Sequence, residues 1–125
     1  MIRKKKILVI DDEKDLVEEL GIRLESVGYG VLAAFDGLEG LEKARKDKPD
    51  LILLDVMMPT LDGYHVCREL KKDPRTQSIP IIILTVKVHD ESIALGKEAG
   101  ADDYVTKPYE TGLLLDKIKG YLEKA

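Results

Sequence analysis

The sequence predicts an α/β domain in which an open, all-parallel sheet is covered by helices on both faces. Short branched apolar runs alternate five times with longer amphipathic stretches along 125 residues. The runs Ile7 to Ile10, Leu51 to Leu54 and Ile81 to Leu84 are apolar at every position. Strands buried on both faces read that way, whereas half-exposed strands alternate. Five such units are too few to close an eight-stranded barrel, so the sheet is open and doubly wound.

Each element has its own local signal. Ile7-Leu8-Val9-Ile10 forms the first strand, and Lys14 to Val27 follows as a helix with Val17, Leu20, Leu24 and Val27 at helical spacing. Gly28 stops that helix, and a brief second strand lies near Val31 to Ala34. Asp36-Gly37 opens a second helix carrying Leu38, Leu41 and Ala44, which ends before Pro49. The third strand, Leu51 to Leu54, closes on Asp55. Beyond Pro59, Asp62 is placed to cap a helix with Val66, Cys67 and Leu70 inward, and Pro74 ends it. Pro80 precedes the fourth strand, Ile81 to Leu84, where a proline at the strand's start is tolerated. Asp90 is placed to cap a fourth helix, whose apolar pattern (Ile93, Ala94, Leu95, Ala99) is the weakest of the set. Asp103-Tyr104-Val105-Thr106 is a short fifth strand, and Leu114, Ile118, Tyr121 and Leu122 line a terminal helix. Without a linker or low-complexity stretch, residues 1–125 form a single domain with a core from about 6 to 123.

Composition narrows the function. The chain is 44% hydrophobic and 35% charged, which fits a folded domain with a real core. One cysteine, Cys67, excludes an internal disulfide and a multi-cysteine zinc site. It falls in step with Val66 and Leu70 and reads as core. Two histidines, His65 and His89, do not make a metal cage and read as surface. A net charge of −4 disfavours direct nucleic-acid binding, so the basic run Arg3 to Lys6 is read as a solvated lead-in. No apolar run is long enough to span a bilayer. Ile7 to Ile10 is cut off by Asp11-Asp12-Glu13, too soon for a signal peptide. The expected location is the cytoplasm, without membrane attachment.

Open α/β sheets bind ligands beyond the carboxyl ends of their strands, so the strand ends are read as one site. Strand one ends in Asp11 and Asp12, strand three in Asp55 and strand four in Thr85, and strand five is followed by Lys107. Two carboxylates about 4 Å apart repel by about 4 kcal/mol at an effective dielectric near 20. Three together must either protonate or share a cation. A hard divalent ion with oxygen ligands suits this set. Mg²⁺ in particular uses one or two carboxylates and leaves room for a phosphoryl oxygen. The simpler alternative is that Asp11 and Asp12 cap the first helix. Asp55 resists a simple reading, because it sits between Leu54 and the apolar Val56-Met57-Met58. A carboxylate beside a metal can attack phosphorus and form an acyl phosphate. Lys107 and Thr85 would then meet the phosphoryl oxygens. No phosphate-binding Gly-rich loop or dinucleotide fingerprint is present.

Taken together, these residues resemble a known family. Ile7-Leu8-Val9-Ile10-Asp11-Asp12-Glu13, Asp50 to Pro59, Leu61-Asp62-Gly63, Ile81 to Thr85 and Gly100 to Pro108 resemble, in order and spacing, the receiver domain of two-component response regulators. The resemblance implies strand order 2-1-3-4-5, the flavodoxin-like arrangement with five helices. It implies that Asp55 accepts a phosphoryl group from a sensor histidine kinase or phosphotransfer protein. It implies that Asp11, Asp12, Asp55 and the main-chain carbonyl of Met57 hold Mg²⁺, with Mn²⁺ able to substitute. Thr85 and Lys107 would contact the phosphoryl group, and Lys107-Pro108 would be a cis peptide. Thr85 and Tyr104 would form the switch, altering the face made by helix four, strand five and helix five. The alternative for Tyr104 is an aromatic strand residue packed on helix five. Two positions depart from the pattern. Val86 stands where a small residue is usual, which bears on phosphodonor access and hydrolysis. Gly40 stands where Ala is common, at a helix-propensity cost of up to about 1 kcal/mol.

Other functions fit less well. An aspartate-nucleophile phosphatase resembles a pattern with a second aspartate two residues after the nucleophile, where this chain has Met57. An interaction module that kept only the fold would be expected to lose Asp55, Lys107 or the acidic pair, and all are present. The expected reading is a signalling switch rather than an enzyme, limited to its own phosphoryl uptake and hydrolysis. Its output passes to a downstream protein or a missing output domain, the chain being a stand-alone receiver or one excised from a longer regulator.

Overall fold

The computed structural model describes residues 4–57, 62–86 and 90–123, the side chains of 90–92 excepted. Strands and helices alternate as β1 (Lys6–Ile10), α1 (Lys14–Ser26), β2 (Gly30–Ala34), α2 (Gly37–Asp47) and β3 (Leu51–Asp55). They continue as α3 (Gly63–Lys72), β4 (Ile81–Thr85), α4 (Asp90–Ala99), β5 (Asp103–Thr106) and α5 (Thr111–Leu122). All neighbouring strands are parallel, in the order β2-β1-β3-β4-β5. This is the expected doubly wound, flavodoxin-like arrangement. None of the described helices is long and apolar enough to cross a membrane.

The apolar strand runs divide by parity, since successive side chains in a strand point to opposite faces. Ile7, Val9, Leu51, Leu53, Ile82 and Leu84 pack with Val17, Leu20 and Leu24 of α1 and Leu114 and Ile118 of α5. Leu8, Ile10, Ile52, Leu54, Ile81 and Ile83 pack with residues of α2, α3 and α4, among them Leu41, Ala44, Cys67, Leu70 and Ala99. The three central strands therefore have no polar face, and each fully buried Leu or Ile contributes about 1.5–3 kcal/mol. Registers are pinned at the far end too, where the Lys6 N–H donates to Asp50 Oδ2 at 2.7 Å.

Helix starts follow the sequence signals with two differences. Asp36 Oδ1 accepts from the Glu39 N–H at 2.8 Å, and Asp62 Oδ1 accepts from the Tyr64 N–H at 2.8 Å, so both cap as expected. The N-cap of α1 is Glu13, without a side-chain cap bond, which removes the helix-capping alternative for Asp12. Asp11 Oδ1 instead accepts the Glu13 N–H at 3.0 Å, an aspartate turn that steers the chain from strand to helix. α4 begins at Asp90 itself, and capping by that side chain lies outside the described residues. On α4, Ile93 and Leu95 are exposed while Gly96 and Ala99 are buried, in keeping with its weak apolar pattern.

Two glycines set how closely helices approach strand ends. A Cβ on Gly63 would lie 2.4 Å from the Val56 Cα and 2.5 Å from the Asp55 carbonyl oxygen. Only glycine lets α3 start against the chain that carries Asp55. A Cβ on Gly40 would lie 2.6 Å from Ile10 Cδ1. The glycine of α2 is thus a packing requirement against β1, which the propensity argument did not include. Gly40→Ala is expected to lower stability by about 1–3 kcal/mol through overpacking, despite the helix-propensity gain. Urea denaturation of both proteins checks the sign.

Cys67 is fully buried, and its thiol is directed at the Ala99 carbonyl at 3.5 Å. Burial pushes this thiol up to about 11. A disulfide-exchange reagent at pH 7.5 should leave Cys67 unmodified in the folded protein and label it only after denaturation, because the thiolate is the reacting form.

Candidate functional site

The parallel register delivers several polar side chains to the carboxyl edge of the sheet. Asp11 follows β1 and is held by its N–H bond to the Ala34 carbonyl at 3.0 Å. Asp55 is the last residue of β3 and Thr85 the last of β4. Asp11, Asp55 and Thr85 are buried, whereas Asp12 is exposed. Lys107 follows β5, and its main-chain N–H donates to the Thr85 carbonyl at 2.7 Å. The Lys107–Pro108 peptide bond is cis.

Carboxylate oxygens of Asp11, Asp12 and Asp55 all lie within 4.8 Å of one another. The Lys107 ammonium reaches into this group, 2.7 Å from Asp11 Oδ2 and 3.7 Å from Asp55 Oδ2. Glu13 Oε1 lies 3.6 Å from the same nitrogen. Asp55 Oδ1 accepts the Met57 N–H at 2.9 Å. That bond turns the chain after β3 and, like the charge of Lys107, favours the ionised carboxyl. Burial, and then the charge of Asp11, hold the Asp55 carboxyl above the usual carboxylate range. For Lys107, burial alone would favour the neutral amine. The hydrogen bond to Asp11 and the charges of Asp11, Asp55 and Glu13 outweigh it, so its pKa is raised and it stays an ammonium.

This donor set suits a hard divalent cation. It consists of carboxylate oxygens with no thiolate or imidazole among the described neighbours, one carboxylate facing solvent, and a surplus of negative charge over the one lysine. The Met57 side chain is exposed, and Val56 before it is buried. Met58, the last residue of that apolar run, lies outside the described residues.

The remaining sequence candidates are also located. Val86 is 59% exposed on the rim of a groove of about 540 Å³ that Leu16, Glu19, Lys107 and Tyr109 help to line. Val86 and Lys107 thus line the same groove. Tyr104 is half-buried on β5, and its ring lies 3.5 Å from where a Cβ on Gly96 of α4 would stand. It packs with the cluster on the α2, α3 and α4 side of the sheet rather than against α5 alone. His65 is exposed, 3.9 Å from Glu69 on the same helix, and His89 lies outside the described residues. Lys4 and Lys5 are exposed, while Lys6 is built into β1 with its ammonium on the Asp47 carbonyl at 2.8 Å; Arg3 lies outside the described residues. The sequence reading missed one participant, Glu13, whose signal was a third acid directly after the pair.

Comparison with known proteins agrees with this arrangement. A model of the response regulator receiver domain matches residues 7–119. The alkaline phosphatase synthesis transcriptional regulatory protein PhoP of Bacillus subtilis is 46% identical over 121 residues, which cover 97% of this chain and 50% of PhoP. The chain therefore spans about half the length of that relative. Chemotaxis protein CheY4 of Vibrio cholerae superposes with a TM-score of 0.91 at 31% identity, covering 96% of this chain and all of that one. The BeF₃-activated receiver domain of DrrB, a Thermotoga maritima protein, superposes with a TM-score of 0.81 at 38% identity, covering 98% of this chain and all of that one. With the family model spanning all five strands and the acidic strand ends in register, the chain belongs to the response regulator receiver domains of two-component systems, which are phosphorylation-dependent signalling switches.

Proposed function

We propose that Asp55 is the phosphoryl acceptor of this switch, loaded by a sensor histidine kinase or a phosphotransfer protein. The observation that carries the reading is a buried carboxylate at a strand end, 3.7 Å from a lysine and within 4.8 Å of two further carboxylates. A carboxylate oxygen of Asp55 attacks phosphorus, an acyl phosphate forms, and the bond from phosphorus to the donor's imidazole nitrogen breaks, leaving that nitrogen to regain a proton from solvent. Asp11, Asp12, Asp55 and the Met57 main-chain carbonyl are the groups that would hold Mg²⁺ or Mn²⁺. When bound, such an ion offsets the negative charge of the incoming phosphoryl oxygens. Lys107 neutralises that charge from the other side and gives up part of its bond to Asp11 as it does so. The Thr85 hydroxyl, at the end of β4, donates to a phosphoryl oxygen.

The output follows from charge. Phosphorylation adds about −1.5 to −2 units and three acceptor oxygens, and it biases whichever packing lets Thr85 and Lys107 reach them. Tyr104 turning inward beside Gly96 is the proposed second half of the switch. Ile93 of α4 and Leu113 of α5 are exposed apolar groups beside Tyr104 of β5, and they support the α4-β5-α5 face as the surface read by a downstream protein or output domain. The cytoplasm is the compartment that goes with this reading.

Incubation with Mg²⁺ and a small acyl phosphate should give a single phosphoryl adduct by intact mass. Chelation or Asp55→Asn should abolish it. No adduct in the wild type, or an undiminished adduct in Asp55→Asn, would overturn the assignment.

A second expectation concerns stability without metal. Folding raises the Asp55 pKa, so the folded protein binds more protons than the unfolded chain between the unfolded value and the folded one. Stability therefore falls as pH rises through that window. Asp55→Asn removes the cost above it. In chelator, the urea midpoint of Asp55→Asn should exceed that of the wild type at pH 7, with the gap narrowing toward pH 4. A gap of constant size across that range would contradict the linkage.

A further inference from the structure

β2 is an outer strand, paired only with β1. Its Gly30 N–H donates to the Lys5 carbonyl at 2.8 Å, and its Ala34 carbonyl accepts from the Asp11 N–H at 3.0 Å. These residues turn their main chain toward β1. Alternation along the strand then aims the main-chain groups of Val31 and Ala33 outward, away from the sheet. The strand reads Gly-Val-Leu-Ala-Ala, with no charge or proline, and its register with β1 is unbroken. Charge, proline or a bulge is what ordinarily stops an edge strand from pairing with another chain. The opposite edge differs, since β5 opens with Asp103, which pairs with Lys117 at 3.2 Å.

Helix α2 supplies what β2 lacks. Lys43 Nζ donates to the outward Ala33 carbonyl, and Glu39 Oε1 accepts from the Phe35 N–H at 2.7 Å. The two side chains also pair with each other at 3.3 Å, one helical turn apart. An exposed pair at that spacing does little for a helix by itself. Here both members spend a hydrogen bond on the main chain at the sheet's edge. We infer that Glu39 and Lys43 close the β2 edge against strand pairing with a second copy of this chain.

A second copy is the occupant the edge would otherwise accept. Two β2 strands related by a two-fold axis would run antiparallel, with no like charges opposed and outward N–H and C=O groups on both sides. With Glu39 and Lys43 in place, two of those groups are taken. An incoming strand would also have to strip water from a carboxylate and an ammonium.

The test uses the full chain carrying Glu39→Ala and Lys43→Ala together. Light scattering across a concentration series is read beside amide hydrogen exchange. Expected is self-association at least tenfold tighter than wild type, with slowed exchange at the Val31 and Ala33 amides. Lys43→Arg, which keeps a donor, should behave as wild type. Glu39 also contributes to the start of α2, so Lys43→Met alone is measured as a variant that leaves that end intact. Folded variants no more associated than wild type would overturn the inference, and so would association that leaves those two amides exchanging freely.

Discussion

Negative charge forced together by strand register is the constraint around which this molecule is arranged. Parallel pairing puts the ends of β1 and β3 side by side, and both ends carry aspartate. At about 4 Å each pair of carboxylates repels by about 4 kcal/mol for an effective dielectric near 20, so the cluster is tolerated only while something positive sits among them. Lys107 does this from β5, 2.7 Å from Asp11. Its ammonium is shared with Asp55 and Glu13 at longer range, which leaves Asp55 the least satisfied of the buried acids. In the proposed function, that same deficit is what a bound cation would relieve before Asp55 meets an electrophile.

The rest of the fold keeps that cluster from relaxing. Carboxylates on loops would drift apart, but these sit at the ends of strands whose side chains are buried on both faces. Gly63 brings α3 against the main chain of Asp55 and Val56, and Gly40 brings α2 onto Ile10, the residue before Asp11. Close packing at these two points limits how far either strand end can shift.

Much of this was legible in the residues. Wholly apolar runs ending in aspartate mark buried strands and a strand-end site together, so the acidic cluster is legible from the residues alone. What could not be read depends on neighbours remote in sequence. Gly40 looked like a weak helix residue because nothing local reveals that Ile10 lies opposite it. Glu39 and Lys43 carry no local signal of their role, which depends on β2 being an outer strand. Glu13 meets Lys107 only because β1 and β5 end at the same edge. Tyr104 could be placed on a strand, but which helix its ring meets depends on the small side of Gly96.

The main-chain bond from the Lys107 N–H to the Thr85 carbonyl has a mechanical consequence. It carries the β4–β5 ladder one residue past the last strand pair, Thr85 with Thr106, and so fixes the two backbones relative to each other. Strand sliding is thereby closed off as a way to bring their side chains closer. Rotation about side-chain bonds is the motion this leaves cheapest for bringing the hydroxyl and the ammonium toward a common point. Such rotation is fast and short in reach, so the site behaves as two short arms on a rigid frame.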